Sequence, residues 1–338
     1  MRLGLIGATG HWTTYAPALR LVPGLELVAV APAGPDETLG AFDHAPGLTL
    51  QTRRHEDARR MLDQERLDVV QVCARCDRIP HWIHRCVERG LPVMAEKPLA
   101  MDVKTLESLY QAARKANVSV VPMHTMRSVP VLAAVREAVR DGGVGEPLLS
   151  FSQKSYKWGD DRPDFYRDRK TFPGIAPWVG IHAFDWLHWI LGDVFTSVQG
   201  KEGTTARPDY PACPSQAAYL LTTAAGGLAA VTLDYLRPDA AASHGDERVR
   251  IAGSRGVVET ALIERKAVLT QQDRPARALS LPSPADIFTQ FARSLLGQGP
   301  PPLTLPEAFR ITEIALRARE AAETGQTVSL RESAYRAT

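Results

Sequence analysis

The sequence predicts an α/β protein of two domains. A doubly wound parallel sheet fills residues 1–123, and an α+β domain with a large open, mostly antiparallel sheet fills residues 124–338. Three observations carry this reading. Apolar runs of strand length alternate with helical patterns as far as Met123. Beyond that point strand-like runs follow one another across tight-turn signals. The length, 338 residues, suits two domains at roughly 100–200 residues each.

The elements follow in order. Arg2–Ile6 is a buried-strand run closed by Gly7-Ala8-Thr9-Gly10, and a helix is expected through Leu21, stopped by Pro23-Gly24. Leu25–Ala31, Asp68–Cys73, Pro92–Glu96 and Ser119–Met123 are further strands. Between them Asp57–Glu65, Pro80–Arg89 and Val103–Ala116 read as helices; Pro80 starts one and Gly90 ends it. A helix over Val129–Asp141 stops at Gly142-Gly143. Strands are then expected at Pro147–Ser155, Ser197–Glu202, Gln216–Thr223, Gly227–Asp234, Arg248–Ala252, Val257–Thr260 and Ala267–Thr270, interrupted by a helix near Ile181–Leu191. A short helix at Asp286–Leu296 and a long amphipathic one at about 306–324, capped by Gly325, complete the chain.

Composition excludes several classes. Lys+Arg total 40 against Asp+Glu 38, a formal charge of +2, which gives no electrostatic case for nucleic acid or an anionic membrane. No apolar run reaches the roughly 18–20 residues that span a bilayer. A Gly-rich turn within ten residues of Met1 leaves no room for a signal peptide, so a cytoplasmic protein is expected. Cys73-Ala74-Arg75-Cys76 is a C-x-x-C followed by His81 and His84, but the spacing is too short for a finger loop. Small buried thiols are expected there, and no metal.

The Gly7–Gly10 turn stands between a strand and a helix, where glycines let backbone approach a pyrophosphate and a helix start offers N–H groups. Thr9 occupies the place of the second Gly of the usual fingerprint, and Thr9 or His11 could add a donor. The second strand should end in a carboxylate for a ribose hydroxyl. It runs into Pro32 instead, with Asp36 and Glu37 further on, and no Arg is expected nearby to receive a 2′-phosphate. The loop therefore does not choose between NAD and NADP.

Met94-Ala95-Glu96-Lys97-Pro98-Leu99 ends a strand about 90 residues after the Gly-rich turn. Together with Gly143–Pro147, Gly180-Ile181-His182-Ala183-Phe184-Asp185, Arg248–Gly256 and Thr304–Val328, it resembles the Gfo/Idh/MocA oxidoreductase family, in order and over nearly the whole chain. The resemblance implies a Rossmann-type first domain and an NAD- or NADP-dependent reaction on a sugar, cyclitol or related hydroxy compound. It also implies a homodimer or homotetramer through the second domain's sheet. Lys97 matches the family's catalytic Lys, whose cation stabilises alkoxide character. His182 matches its proton-transferring His. Gly7, Thr9, Gly10, His11, Ala74, Glu96 and Lys97 would face the cofactor.

The sequence departs from the family at three places. Trp178 stands where an acidic residue usually precedes the His by four, and could form an apolar wall for a sugar ring. The usual Thr-Pro turn reads Ala74-Arg75, and a usual His is Ile79. Asp185 shares a helical face with His182 and could hold a substrate hydroxyl or position the imidazole. The segment Lys154–Lys170, with Tyr156, Trp158, Asp160, Arg162, Phe165, Tyr166 and Arg167, suits a loop over a sugar pocket. His124 and Arg127 follow the fifth strand at the ligand edge of such sheets. Two other readings compete: a glycoside hydrolase or lyase that uses tightly held NAD in an oxidation–elimination–reduction cycle, and a ligand-sensing member without catalysis. Under the leading reading an ammonium and an imidazole, distant in sequence, act on one carbinol.

Overall fold

The computed structural model describes residues 1–159 and 162–335. The chain divides into two compact units, one holding Met1–Met123 and Ala285–Thr312, the other His124–Pro284 and Glu313–Arg336.

The first unit is a six-stranded sheet of β1 (Arg2–Ile6), β2 (Glu26–Ala31), β3 (Arg53–Arg54), β4 (Val69–Val72), β5 (Val93–Ala95) and β6 (Val120–Pro122), in the order β3-β2-β1-β4-β5-β6. Every pair is parallel. Helices cover both faces, so β4 and β5 are buried at every position, as their unbroken apolar runs require. Chain order reverses between β1 and β4, which makes the ends of those strands the expected place for a ligand. Helices α2 (Ala58–Gln64) and α4 (Val103–Ala116) start at capping carboxylates: Asp57 accepts from the Arg59 amide and Asp102 from the Thr105 amide. Helix α3 (Ile79–Val87) carries Pro80 in its first turn.

Two differences from the sequence reading stand out. The helix expected after Gly10 shrinks to α1 (Ala18–Leu21), and the chain before it runs through turns. The Trp12 carbonyl accepts from the Gln71 side chain at 2.5 Å, the Thr14 hydroxyl binds the His11 carbonyl, and Pro17 has no N–H. The second difference is that Ala285–Thr312, which the sequence division puts with the second domain, packs in the first unit. There α7 (Ile287–Leu295) sets Phe288 edge-on to Tyr15, with ring centroids 6.4 Å apart.

The second unit contains α5 (Pro130–Arg140), α6 (Ile181–Leu191) and nine strands. The strands are β7 (Pro147–Lys157), β8 (Phe195–Gly203), β9 (Gln216–Thr223), β10 (Leu228–Arg237), β11 (Gly245–Gly253), β12 (Gly256–Ala261), β13 (Lys266–Gln271), β14 (Arg274–Ala278) and β15 (Val328–Ser329). Their order is β14-β13-β12-β11-β7-β10-β9-β8-β15, antiparallel except for the parallel pair β7–β10. Helix α8 (Leu305–Thr324) begins in the first unit and ends in the second.

One face of this large sheet lies under α6. The Trp186 indole N–H donates to the Ser152 hydroxyl at 2.6 Å, and a Cβ on Gly180 would stand 2.5 Å from a Leu233 methyl. Side chains alternate along a strand, so Leu149 and its neighbour Leu228 point the other way. Leu149, Leu228 and Leu220 are 49%, 40% and 41% exposed on that uncovered face.

Candidate active site

The glycine turn hangs between two strand ends. The Gly7 amide donates to the Ala31 carbonyl and the Thr9 amide to the Cys73 carbonyl, each at 2.9 Å. Gly7 and Gly10 have φ of +78° and +65°, which only glycine adopts readily. A Cβ on Gly7 would lie 2.3 Å from the Cys73 carbonyl oxygen, and one on Gly10 would lie 2.3 Å from Glu96 Oε1. Such a cradle, closed to any side chain, fits the close backbone approach that a pyrophosphate needs. The missing long helix removes the dipole contribution that the sequence reading expects there.

Glu96, just after β5, is buried and organises this corner. Its Oε1 accepts from the His11 backbone amide and lies 2.7 Å from His11 Nδ1; its Oε2 accepts from the Lys97 amide at 3.1 Å. Burial alone would raise the Glu96 pKa, but the hydrogen bond from His11 and the charges of His11 and Lys97 outweigh it and hold the carboxyl below its ordinary value. Thus His11 and Glu96 bind each other, and Glu96 fixes the backbone of Lys97. Lys97 itself is 4% exposed, and the peptide to Pro98 is cis.

Ala74 is buried in the loop after β4, between two buried thiols. Burial pushes Cys76 up to about 12, against the pull of the Lys97 charge, and likewise pushes Cys86 and Cys213 up to about 12. Among the described residues no three His, Cys, Asp or Glu side chains are grouped to hold a metal ion.

Past the end of β2 the structure supplies what the linear sequence conceals. Glu37 folds back so that its carboxylate lies against Ala33 and Thr9. Arg75 and Arg78, from the connection between β4 and α3, reach Asp36. The expectation that no Arg stands nearby is therefore corrected: residues 39 and 42 positions away arrive because the loops after β2 and β4 share one edge of a parallel sheet.

In the second unit His182 sits in the first turn of α6, 5% exposed, and its ring lies edge-on to that of buried His124 at 6.4 Å between centroids. Asp185, one turn on, is fully buried and engages Arg127. Both bonds end on its Oδ1, while Oδ2 is buried without a hydrogen-bond partner among the described residues. Burial raises its pKa, with Arg127 opposing. Trp178 lies in a π-helical turn, Ala176–Gly180, leading into α6, with Tyr166 and Phe172 each 6.0 Å from it, edge to face. Trp178, Tyr166 and Phe172 thus form a cluster of three rings. Asp160 lies outside the described residues.

Sequence reasoning missed the partners of Tyr156. Lys154, fully buried on β7, pairs with Glu247 at 3.2 Å, and its ammonium lies 4.6 Å from the Tyr156 ring and 5.3 Å from the Trp186 ring. The signal was available in the alternation: Ser150, Ser152 and Lys154 share the face of β7 that α6 covers.

A glycine cradle at the reversal point of a parallel sheet, followed in the chain by a second, open-sheet domain, is the architecture of a Rossmann-type protein with a dinucleotide-binding first domain. Residues 1–124 match the family described as "Oxidoreductase family, NAD-binding Rossmann fold", and residues 132–259 match the "GFO/IDH/MocA C-terminal domain". The chain belongs to the GFO/IDH/MocA family.

Among curated relatives, D-apiose dehydrogenase of Paraburkholderia graminis is 25% identical over 83% of this chain and 72% of its own length. Inositol 2-dehydrogenase 4 of Saccharopolyspora erythraea is 26% identical over 59% of this chain, which spans 56% of that protein's length. A solved structure from Thermotoga maritima is 32% identical, with a TM-score of 0.91 over 97% of this chain and all of that one.

Proposed function

We propose that this protein interconverts a secondary alcohol and a ketone on a sugar, cyclitol or related polyhydroxy compound. The observation that carries the reading is the retention of Lys97 and His182, both nearly buried, within two matched domains of an oxidoreductase family. The similarity to inositol and apiose dehydrogenases supports the substrate class. When bound, the nicotinamide supplies the hydride acceptor or donor.

The residues of the chain do the rest. The Gly7–Gly10 turn, which includes Thr9, holds the dinucleotide together with Ala74. Lys97 stabilises negative charge growing on the substrate oxygen. His182, through its imidazole, takes or returns the hydroxyl proton. Glu96 and Asp185 are positioning residues, acting through Lys97 and through Arg127. The ring cluster around Trp178, with Tyr156 and His124, shapes the substrate side.

We further infer a homo-oligomer formed through the uncovered face of the large sheet, where Leu149, Leu220 and Leu228 are exposed, and a cytoplasmic location. No helix among the described residues is long and apolar enough to cross a membrane.

The test is nicotinamide absorbance with a panel of free sugars and cyclitols. Net turnover is expected for the wild type, with a loss of about 10²–10⁴-fold in His182→Ala. Full activity in that variant, or glycoside cleavage without net cofactor change, would overturn the reading.

A further inference from the structure

Most parallel-sheet dinucleotide domains end their second strand in a carboxylate that grips the adenosine ribose. Here β2 runs out into Pro32-Ala33-Gly34-Pro35, and the position is apolar. A carboxylate nevertheless stands there. Glu37 Oε2 accepts from the Ala33 amide at 2.8 Å, and Glu37 Oε1 accepts from the Thr9 hydroxyl at 3.1 Å. Thr9 belongs to the glycine turn, and the Ala33 Cβ lies 2.9 Å from where a Cβ on Gly7 would be. The Glu37 carboxylate is thus fixed between the turn and the end of β2. A carboxylate has about four acceptor sites, so two remain for a ligand.

The same segment borders a cleft of about 460 Å³, lined also by Arg78, His81 and Trp82. The Trp82 indole donates to the Ala33 carbonyl at 2.9 Å, which braces the wall against β2.

Two guanidinium groups lie nearby, and both are already engaged. Arg75 grips Asp77 through two bonds, at 2.6 and 2.8 Å, and reaches Asp36 at 3.1 Å. Arg78 donates to the other oxygen of Asp36. Two cations and two carboxylates leave no net charge for a phosphate, and Glu37 would repel one.

We propose that Glu37 replaces the missing β2 carboxylate as acceptor for the ribose hydroxyls of the adenosine half, and that Asp36, by occupying Arg75 and Arg78, excludes a 2′-phosphate, so that the protein selects NAD over NADP. This rests on the dinucleotide reading above.

The test is direct binding of NADH and of NADPH to the full chain without substrate, by calorimetry. The wild type is expected to bind NADH at least about tenfold tighter than NADPH, the scale of one charge-assisted hydrogen bond. Glu37→Gln should weaken NADH by about tenfold and leave NADPH no weaker. Asp36→Asn, which keeps the shape and removes one of the two carboxylate charges that balance Arg75 and Arg78, should tighten NADPH severalfold without weakening NADH. Thermal melts show that each variant is folded; should Glu37→Gln not fold, the wild-type ratio and Asp36→Asn decide. Equal or tighter NADPH binding by the wild type, an unchanged NADH affinity in folded Glu37→Gln, or an unchanged NADPH affinity in Asp36→Asn would overturn the proposal. Failure of the wild type to bind either nucleotide would instead overturn the dinucleotide reading beneath it.

Discussion

Arg127 and Asp185, 58 positions apart, form a buried ion pair in which Nε and Nη2 of the arginine both donate to Oδ1, at 2.9 and 2.7 Å. The pair ties the turn after His124 to the helix that carries His182. Removing one partner strands a charge in a dry interior, at a cost of roughly 3–5 kcal/mol. Urea denaturation of Arg127→Ala is expected to show a loss of that size. The double variant Arg127→Met/Asp185→Leu should recover most of it, because well-packed apolar pairs often match buried ion pairs. A single variant as stable as the wild type would show that the pair does not hold the turn.

Glu96 makes stability depend on acid. Its folded-state pKa lies below the ordinary value because His11 and Lys97 overcome the effect of burial. The resulting stabilisation is complete above the unfolded-state pKa, about 4.3, and disappears as pH falls through the lower folded-state value. Glu96→Gln should be less stable at neutral pH and should lose less further stability on acidification. Parallel acid limbs for the two proteins in denaturant melts would contradict this.

The glycines supply a graded series. Gly24 has φ +75° with open space around it, so Gly24→Ala should cost only left-handed strain, about 1–2 kcal/mol. Gly7→Ala adds a methyl 2.3 Å from the backbone oxygen of Cys73, which cannot rotate away. Gly10→Ala meets the end of the Glu96 side chain, which can yield at the expense of the His11 contact. Melting temperatures should fall in the order Gly24→Ala, Gly10→Ala, Gly7→Ala, the last lowest, and only the last two should weaken NADH binding.

The uncovered sheet face gives a prediction of mass. Leu149 is half exposed beside Leu228, and Arg250 and Glu259 pair at 3.7 Å on the adjoining strands. Leu149→Glu places a charge in the middle of an interface formed there. Sedimentation should show the wild type as a dimer or larger and the variant shifted toward monomer at micromolar concentration. A monomeric wild type would refute the interface.

How much of this was legible in the sequence follows from the range of the forces involved. Helices α4 and α6 and strand β9 start and stop where periodicity and punctuation put them. The Glu-Lys-Pro motif and the Gly-x-His-x-x-Asp helix are local strings, and each is legible without the fold. What stayed hidden depends on pairs far apart in the chain. Glu96 meets His11 across 85 positions, and Arg78 meets Asp36 across 42. Helix α1 failed for the same reason: Gln71, from a different strand, captures a carbonyl that a helix would have used. The two-residue strand β3, Arg53–Arg54, is charged and exposed, and has no apolar signature to read.

One carboxyl group, that of Glu96, is shared by two loops of separate origin in the chain. One oxygen secures the entry to the phosphate cradle, and the other secures the backbone of the lysine assigned to chemistry. The two loops are therefore tied to one side chain, so that any displacement of the Glu96 carboxylate disturbs the backbone of His11 and of Lys97 together.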